Sequence, residues 1–83
     1  MEREEFCARF AMLSPRLVEV LILVAEGNTN RQIGLRLSAK SAQSNGVHLR
    51  EATVKRYAEE VLHVLGVRGR TETAVLWTRF GDG

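Results

Sequence analysis

Apolar residues recur along this chain every three or four positions, broken by short polar stretches, and that spacing predicts helices throughout. In residues 2–12, Phe6 and Phe10 lie one turn apart with Leu13 beyond them, and Glu2, Glu4 and Glu5 suit a helix N-terminus. A short helix can therefore form in front. Ser14-Pro15 restarts the pattern, with serine as cap and proline at the first helical position. Leu17, Val20, Leu21 and Val24 then share one apolar face, and Gly27 is the expected stop. A third helix starts at Thr29 or Asn30, either of which can cap, with Ile33 and Leu37 on its buried side. From about Arg50 to Leu65, a stripe of Val54, Ala58, Val61, Leu62 and Leu65 lies opposite Ala52, Arg56, Glu59 and His63, and Gly66 ends the run. A last helix spans roughly residues 71–80, where Ala74 and Val75 can face the core. No stretch alternates as a strand should, and there is no repeat. The predicted fold is all-α: four main helices in residues 13–83, preceded by a helical extension in residues 1–12.

The length of 83 residues fits one domain with a thin core. With Ala74 and Val75 facing inward, Leu76 and Trp77 cannot both be buried in so small a domain. Leu76, Trp77 and Phe80 are then surplus apolar surface, the expected interface with a second copy. The alternative is that they pack on the front helix through Phe6 and Phe10. The longest apolar run, Val20 to Ala25, is far too short to span a membrane, and the charged start "MEREE" is not a signal-peptide pattern. Cys7 is the sole cysteine, so no internal disulfide forms and a reduced, cytoplasmic setting is the default. His48 and His63 have no acidic or cysteine partners at ligand spacing, and "AEGNTN" lacks the glycine-lysine signature of a phosphate loop. No metal, cofactor or catalytic constellation is indicated, so the chain is not expected to be an enzyme.

Charge is distributed unevenly. Residues 1–27 carry three basic and five acidic side chains, residues 28–70 eight and three, and residues 71–83 one and two. The excess of positive charge thus sits in residues 28–70, the segment that holds the two helices flanking "SAKSAQSNGVH". Two such helices suit a helix-turn-helix, in which one helix crosses the DNA backbone and the next enters the major groove. "NRQIGLRL" supplies the supporting helix and "REATVKRYAEEVLHVLGV" the second.

The ordered blocks "LSPR-L-V-E-VL-LVAEG", "N-R-Q-I", "TVKRY" and "LGVRGRTETAV" resemble the LuxR-type, or GerE-type, DNA-binding domain of bacterial transcription regulators, over about Leu13 to Gly81. With little chain outside the domain, it looks most like the small stand-alone members. The resemblance implies a sequence-specific regulator that binds double-stranded DNA, commonly as a homodimer through the last helix. It implies phosphate contacts for Asn30 and Arg31 at the start of the supporting helix. Thr53 and Lys55 fall at the start of the recognition helix, on phosphate or, for Lys55, a base edge. Arg56 falls at a base-reading position, and Arg70 near the backbone at the start of the last helix. There are departures. Tyr57 replaces the usual histidine, keeping a hydroxyl for phosphate, and Glu59 stands where relatives often carry a base-reading residue. Arg50 replaces the usual serine or threonine cap.

The largest departure is length, about ten extra residues between Leu37 and Thr53. Lengthening a connection from about four to about fourteen residues costs on the order of 1 kcal/mol of closure entropy, so an insertion at 38–48 need not break the fold. Leu49 keeps the place of the apolar residue that plugs the turn. The stretch is expected to be mostly irregular, the alternative being a second helix longer by roughly 10 Å. Its one charge, Lys40, can reach a phosphate. A rival function is a protein-interaction module of the same fold, in which the helix bearing Glu59 and Glu60 binds RNA polymerase or another regulator.

Overall fold

The computed structural model describes the backbone of residues 1–41 and 50–81, with side chains for all of these except 39–41. The described residues are helical, without strands: α1 (Arg3–Phe10), α2 (Pro15–Ala25), α3 (Asn30–Ser41), α4 (Glu51–Leu65) and α5 (Arg70–Leu76), followed by a π-helical turn (Trp77–Gly81). No helix among them is long and apolar enough to cross a membrane.

Local chemistry sets most boundaries where the pattern places them. Ser14 Oγ accepts from the Leu17 amide at 3.3 Å and Pro15 is the first residue of α2. Thr29 is the cap of α3: its Oγ1 accepts from the Gln32 amide at 3.1 Å while Gln32 Oε1 accepts from the Thr29 amide at 2.8 Å. This reciprocal pair satisfies two amides that a helix start leaves without partners. Gly27 and Gly66 both take positive φ, +89° and +72°. At each, the following residue's amide returns to a carbonyl five residues earlier, Asn28 to Leu23 and Val67 to Leu62. Side-chain-bearing residues enter that left-handed region only with strain, which is why glycine ends both helices.

The core forms where α2 meets α4 and α5 and where α3 lies against α4. Val20, Leu21, Ile33, Leu37, Val54, Val61 and Leu65 are fully enclosed. Each contributes on the order of 2 kcal/mol by leaving water. The expected faces of α2, α3 and α4 are the buried ones, with Leu62 half-buried at the edge of its stripe.

Two expectations need correction. The inward face of α5 is Thr73 and Leu76; Ala74 is half-buried and Val75 is 54% exposed. Thr73 fits inside because its Oγ1 donates to the Gly69 carbonyl at 3.1 Å, leaving only its methyl to the core. Residues 73, 76, 77 and 80 then follow one helical stripe. Leu76 is 8% exposed and belongs to the core, so it is not surplus surface. Trp77 and Phe80 are half-buried against α1, as in the alternative arrangement: Phe10 stacks with Trp77 at 6.1 Å and Phe6 lies 5.5 Å from Phe80, centroid to centroid. The second correction concerns the connection after Leu37. α3 runs on to Ser41, so its first four residues are helical. The expected loop over 42–48 and the plugging role of Leu49 lie outside the described residues.

Candidate nucleic-acid interface

The site is built from the starts of three helices and the outer face of α4. The N-terminal turns of α3, α4 and α5 meet at an open cleft of about 600 Å³ lined by Gly27, Asn28, Thr29, Asn30, Glu51 and Arg70, among others. Each helix start carries the positive end of its helix dipole.

Asn28 organises this cleft. It follows the glycine that ends α2, and its Nδ2 donates to the Leu23 carbonyl at 2.9 Å, closing off the last turn of that helix. Its Oδ1 accepts from Arg36 Nε at 3.0 Å, across two turns of α3. Its backbone carbonyl accepts from an Arg70 amino group at 2.9 Å, and the other Arg70 amino group donates to Asn30 Oδ1. One asparagine thus ties α2, α3 and α5 together, and the guanidinium of Arg70 latches the start of α5 to the start of α3. Asn30 and Arg70, expected to contact phosphate separately, are brought together and bond to each other. Asn28 and Arg36 were missed by the sequence pattern. The available signal was a polar residue directly after a helix-ending glycine, where orphan carbonyls need donors.

α4 divides along its length. Val54, Ala58, Val61 and Leu65 are buried, and Lys55, Arg56, Glu59, Glu60 and His63 are exposed. Thr53 is half-buried at the first turn, and Tyr57 is half-buried with its ring packed against the core. Arg50 precedes the helix in an extended conformation (φ −72°, ψ 151°) with no side-chain cap bond. Glu51 in the first turn complements the positive end instead. On α3, Arg31 and Arg36 are exposed. The Lys40 side chain, from which a phosphate contact is expected, is outside the described structure, as is His48. Among the described residues no group of His, Cys, Asp and Glu could hold a metal ion.

Two adjacent helices, the second with Lys55 and Arg56 exposed on its N-terminal half and with polar helix starts beside it, fit the helix-turn-helix class of DNA-binding domain. The family model for GerE, the luxR family of bacterial regulatory proteins, matches residues 11–77, and the chain belongs to this family. Its function is accordingly of the DNA-binding regulatory kind, in a family that is not one of enzymes. Comparison with curated proteins and with solved structures gives no match. The helix α1 precedes the matched segment.

Proposed function

We propose that the chain reads double-stranded DNA sequence-specifically, with α4 in the major groove and the starts of α3 and α5 against phosphates. The observation behind this is the division of α4: an enclosed apolar stripe seats one face of the helix on the core, and Lys55 and Arg56 stand exposed on its N-terminal half. The N-terminal residues of a recognition helix are those that approach base edges. The planar fork of Arg56 suits guanine O6 and N7, and Lys55 serves a phosphate or a neighbouring base. Thr53 and Tyr57 offer hydroxyls to phosphates, and Arg31 a charge. Arg70, held by Asn28 and Asn30, keeps its charge at the cleft without searching for a geometry.

A homodimer on two half-sites fits this arrangement. The outward side of α5 carries a shallow groove of about 500 Å³ lined by Thr71, Ala74, Val75, Thr78 and Arg79, of which Val75 is an exposed large apolar residue. A two-fold contact there, joined by the exposed part of Trp77, would pair the recognition helices for successive turns of the duplex.

A second reading draws on Glu59 and Glu60, exposed on the same helix. These carboxylates repel phosphate and suit a basic protein surface such as one on RNA polymerase. A salt titration separates the two. Binding of a duplex through several phosphates weakens as a steep power of salt concentration. Affinity for duplex DNA that is negligible at 50 mM salt would favour the protein-partner reading.

A further inference from the structure

We propose that Arg9, on the helix that precedes the family-matched segment, is a positioning residue for α4, setting the angle at which the recognition helix is presented. This rests on α4 being the DNA reader. The contact is built from both sides. Glu5 Oε1 accepts from Arg9 Nε at 3.2 Å and from one amino group at 3.1 Å, one turn away on α1. With those donors held, the other amino group points at α4 and donates to the Val64 carbonyl at 3.2 Å. Val64 is in the last turn of α4, where carbonyls have no partner in the helix and where the dipole favours a cation. Gly66 completes the seat. A Cβ there would lie 2.7 Å from that same Arg9 amino group and would make the guanidinium shift, so the glycine, which turns the chain, also leaves the guanidinium in place.

α1 cannot swing freely while it holds α4. Phe6 is 3% exposed within the core, and Phe10 stacks on Trp77. Arg9 therefore connects a fixed helix to the C-terminal end of α4, and the reading residues lie at the other end. Val64 and Lys55 are separated by nine residues, about 14 Å of helix. A tilt of about 10° at the seat moves Lys55 by about 2 Å. Hydrogen bonds to base edges survive displacements of only about 0.5 Å. The effect falls on base reading, because long side chains on phosphates can follow a small shift.

The test is Arg9→Ala, with Arg9→Lys and Glu5→Gln beside it, compared with the unaltered chain on a selected duplex and on a random one. Measurements are made at a temperature where circular dichroism shows each chain folded. The expected result for Arg9→Ala is a five- to tenfold loss on the selected duplex, less than twofold on the random duplex, and an unchanged salt slope. Arg9→Lys keeps a donor for the Val64 carbonyl and should recover more than half of the loss on a logarithmic scale. Glu5→Gln, which frees the fork without removing it, should lose two- to threefold in the same pattern; it carries the test alone if Arg9→Ala does not fold. A folded variant with lowered melting temperature but unchanged selectivity overturns the assignment, leaving Arg9 a stabilising contact. Equal losses on both duplexes with a salt slope smaller by about one would overturn it as well, making Arg9 a phosphate contact. If the unaltered chain binds neither duplex, DNA reading by α4 fails, and the assignment fails with it.

Discussion

A basic residue at the proposed DNA-binding surface can stand free in solvent, as Lys55 and Arg56 do, or be held within the protein, as Arg70 is by Asn28. Lys55 and Arg56 project from the exposed side of α4 and have no place in the core. Replacing either with alanine should leave the fold intact by circular dichroism. Lys55→Ala should weaken all duplexes and lower the salt slope by about one. Arg56→Ala should relax preference at one base pair by about 1–3 kcal/mol. Unchanged binding in both folded variants would remove these residues from the site. Arg70 is half-buried and bonded to the Asn28 carbonyl and the Asn30 side chain. Arg70→Ala should therefore lower unfolding stability by about 1–3 kcal/mol, as expected when a charged donor leaves its acceptors unpaired. A denaturation midpoint identical to that of the unaltered chain would make the latch unimportant and return Arg70 to a phosphate role alone. The exposed residues were legible in the sequence because solvent-facing charge follows directly from helical spacing. The latch was not, because it joins Arg70 to residues forty and forty-two positions earlier, the second through a backbone carbonyl that no side-chain pattern marks.

At the scale of the elements, the apolar stripes were legible because α2 and α4 each have three or more large residues at helical spacing, and α3 has Ile33 and Leu37 one turn apart, which leaves one buried face on each. α5 was misread by one position. Thr73 looks polar in a sequence, yet its bond to the Gly69 carbonyl lets it occupy the core in place of Val75. The π-helical turn was also hidden: residues 71–80 read as one regular helix, while the chain changes its hydrogen-bond pattern at Trp77. The glycine stops were legible from chemistry, but the second demand on Gly66, room for Arg9, needs the fold. Gly66→Ala should cost about 1–2 kcal/mol for its left-handed conformation alone. It should also loosen α1, seen as faster amide exchange in residues 3–10. Stability within about 0.3 kcal/mol of the unaltered chain would contradict both demands. The long connection between α3 and α4 is a proposal about chain length. Replacing residues 42–48 with a short turn should keep the domain folded, and stability should rise by about 1 kcal/mol. Loss of the cooperative melting transition would make those residues structural.

The molecule as a whole joins a family-type unit, residues 11–77, to a front helix that shares its core. The aromatic residues Phe6, Phe10, Trp77 and Phe80 pack between the two ends of the chain. Composition alone could not decide whether Trp77 and Phe80 served a partner or α1. With Leu76 buried and these rings half-covered, the surface proposed for self-association is the strip around Val75. Val75→Glu should shift the protein toward monomer in analytical ultracentrifugation and weaken a two-half-site duplex more than a single half-site. An unaltered chain that sediments as a monomer at tens of micromolar, and also on DNA, would exclude a dimer. The central claim is that α4 reads base sequence. Its most direct test is selection of bound duplexes from a random pool by the purified chain, repeated with Arg56→Ala. The expected result is an enriched motif, two-fold if the chain dimerises, that loses information at one position of each half-site in the variant. Enrichment of no motif by a folded chain, or an identical motif with Arg56→Ala, would contradict it.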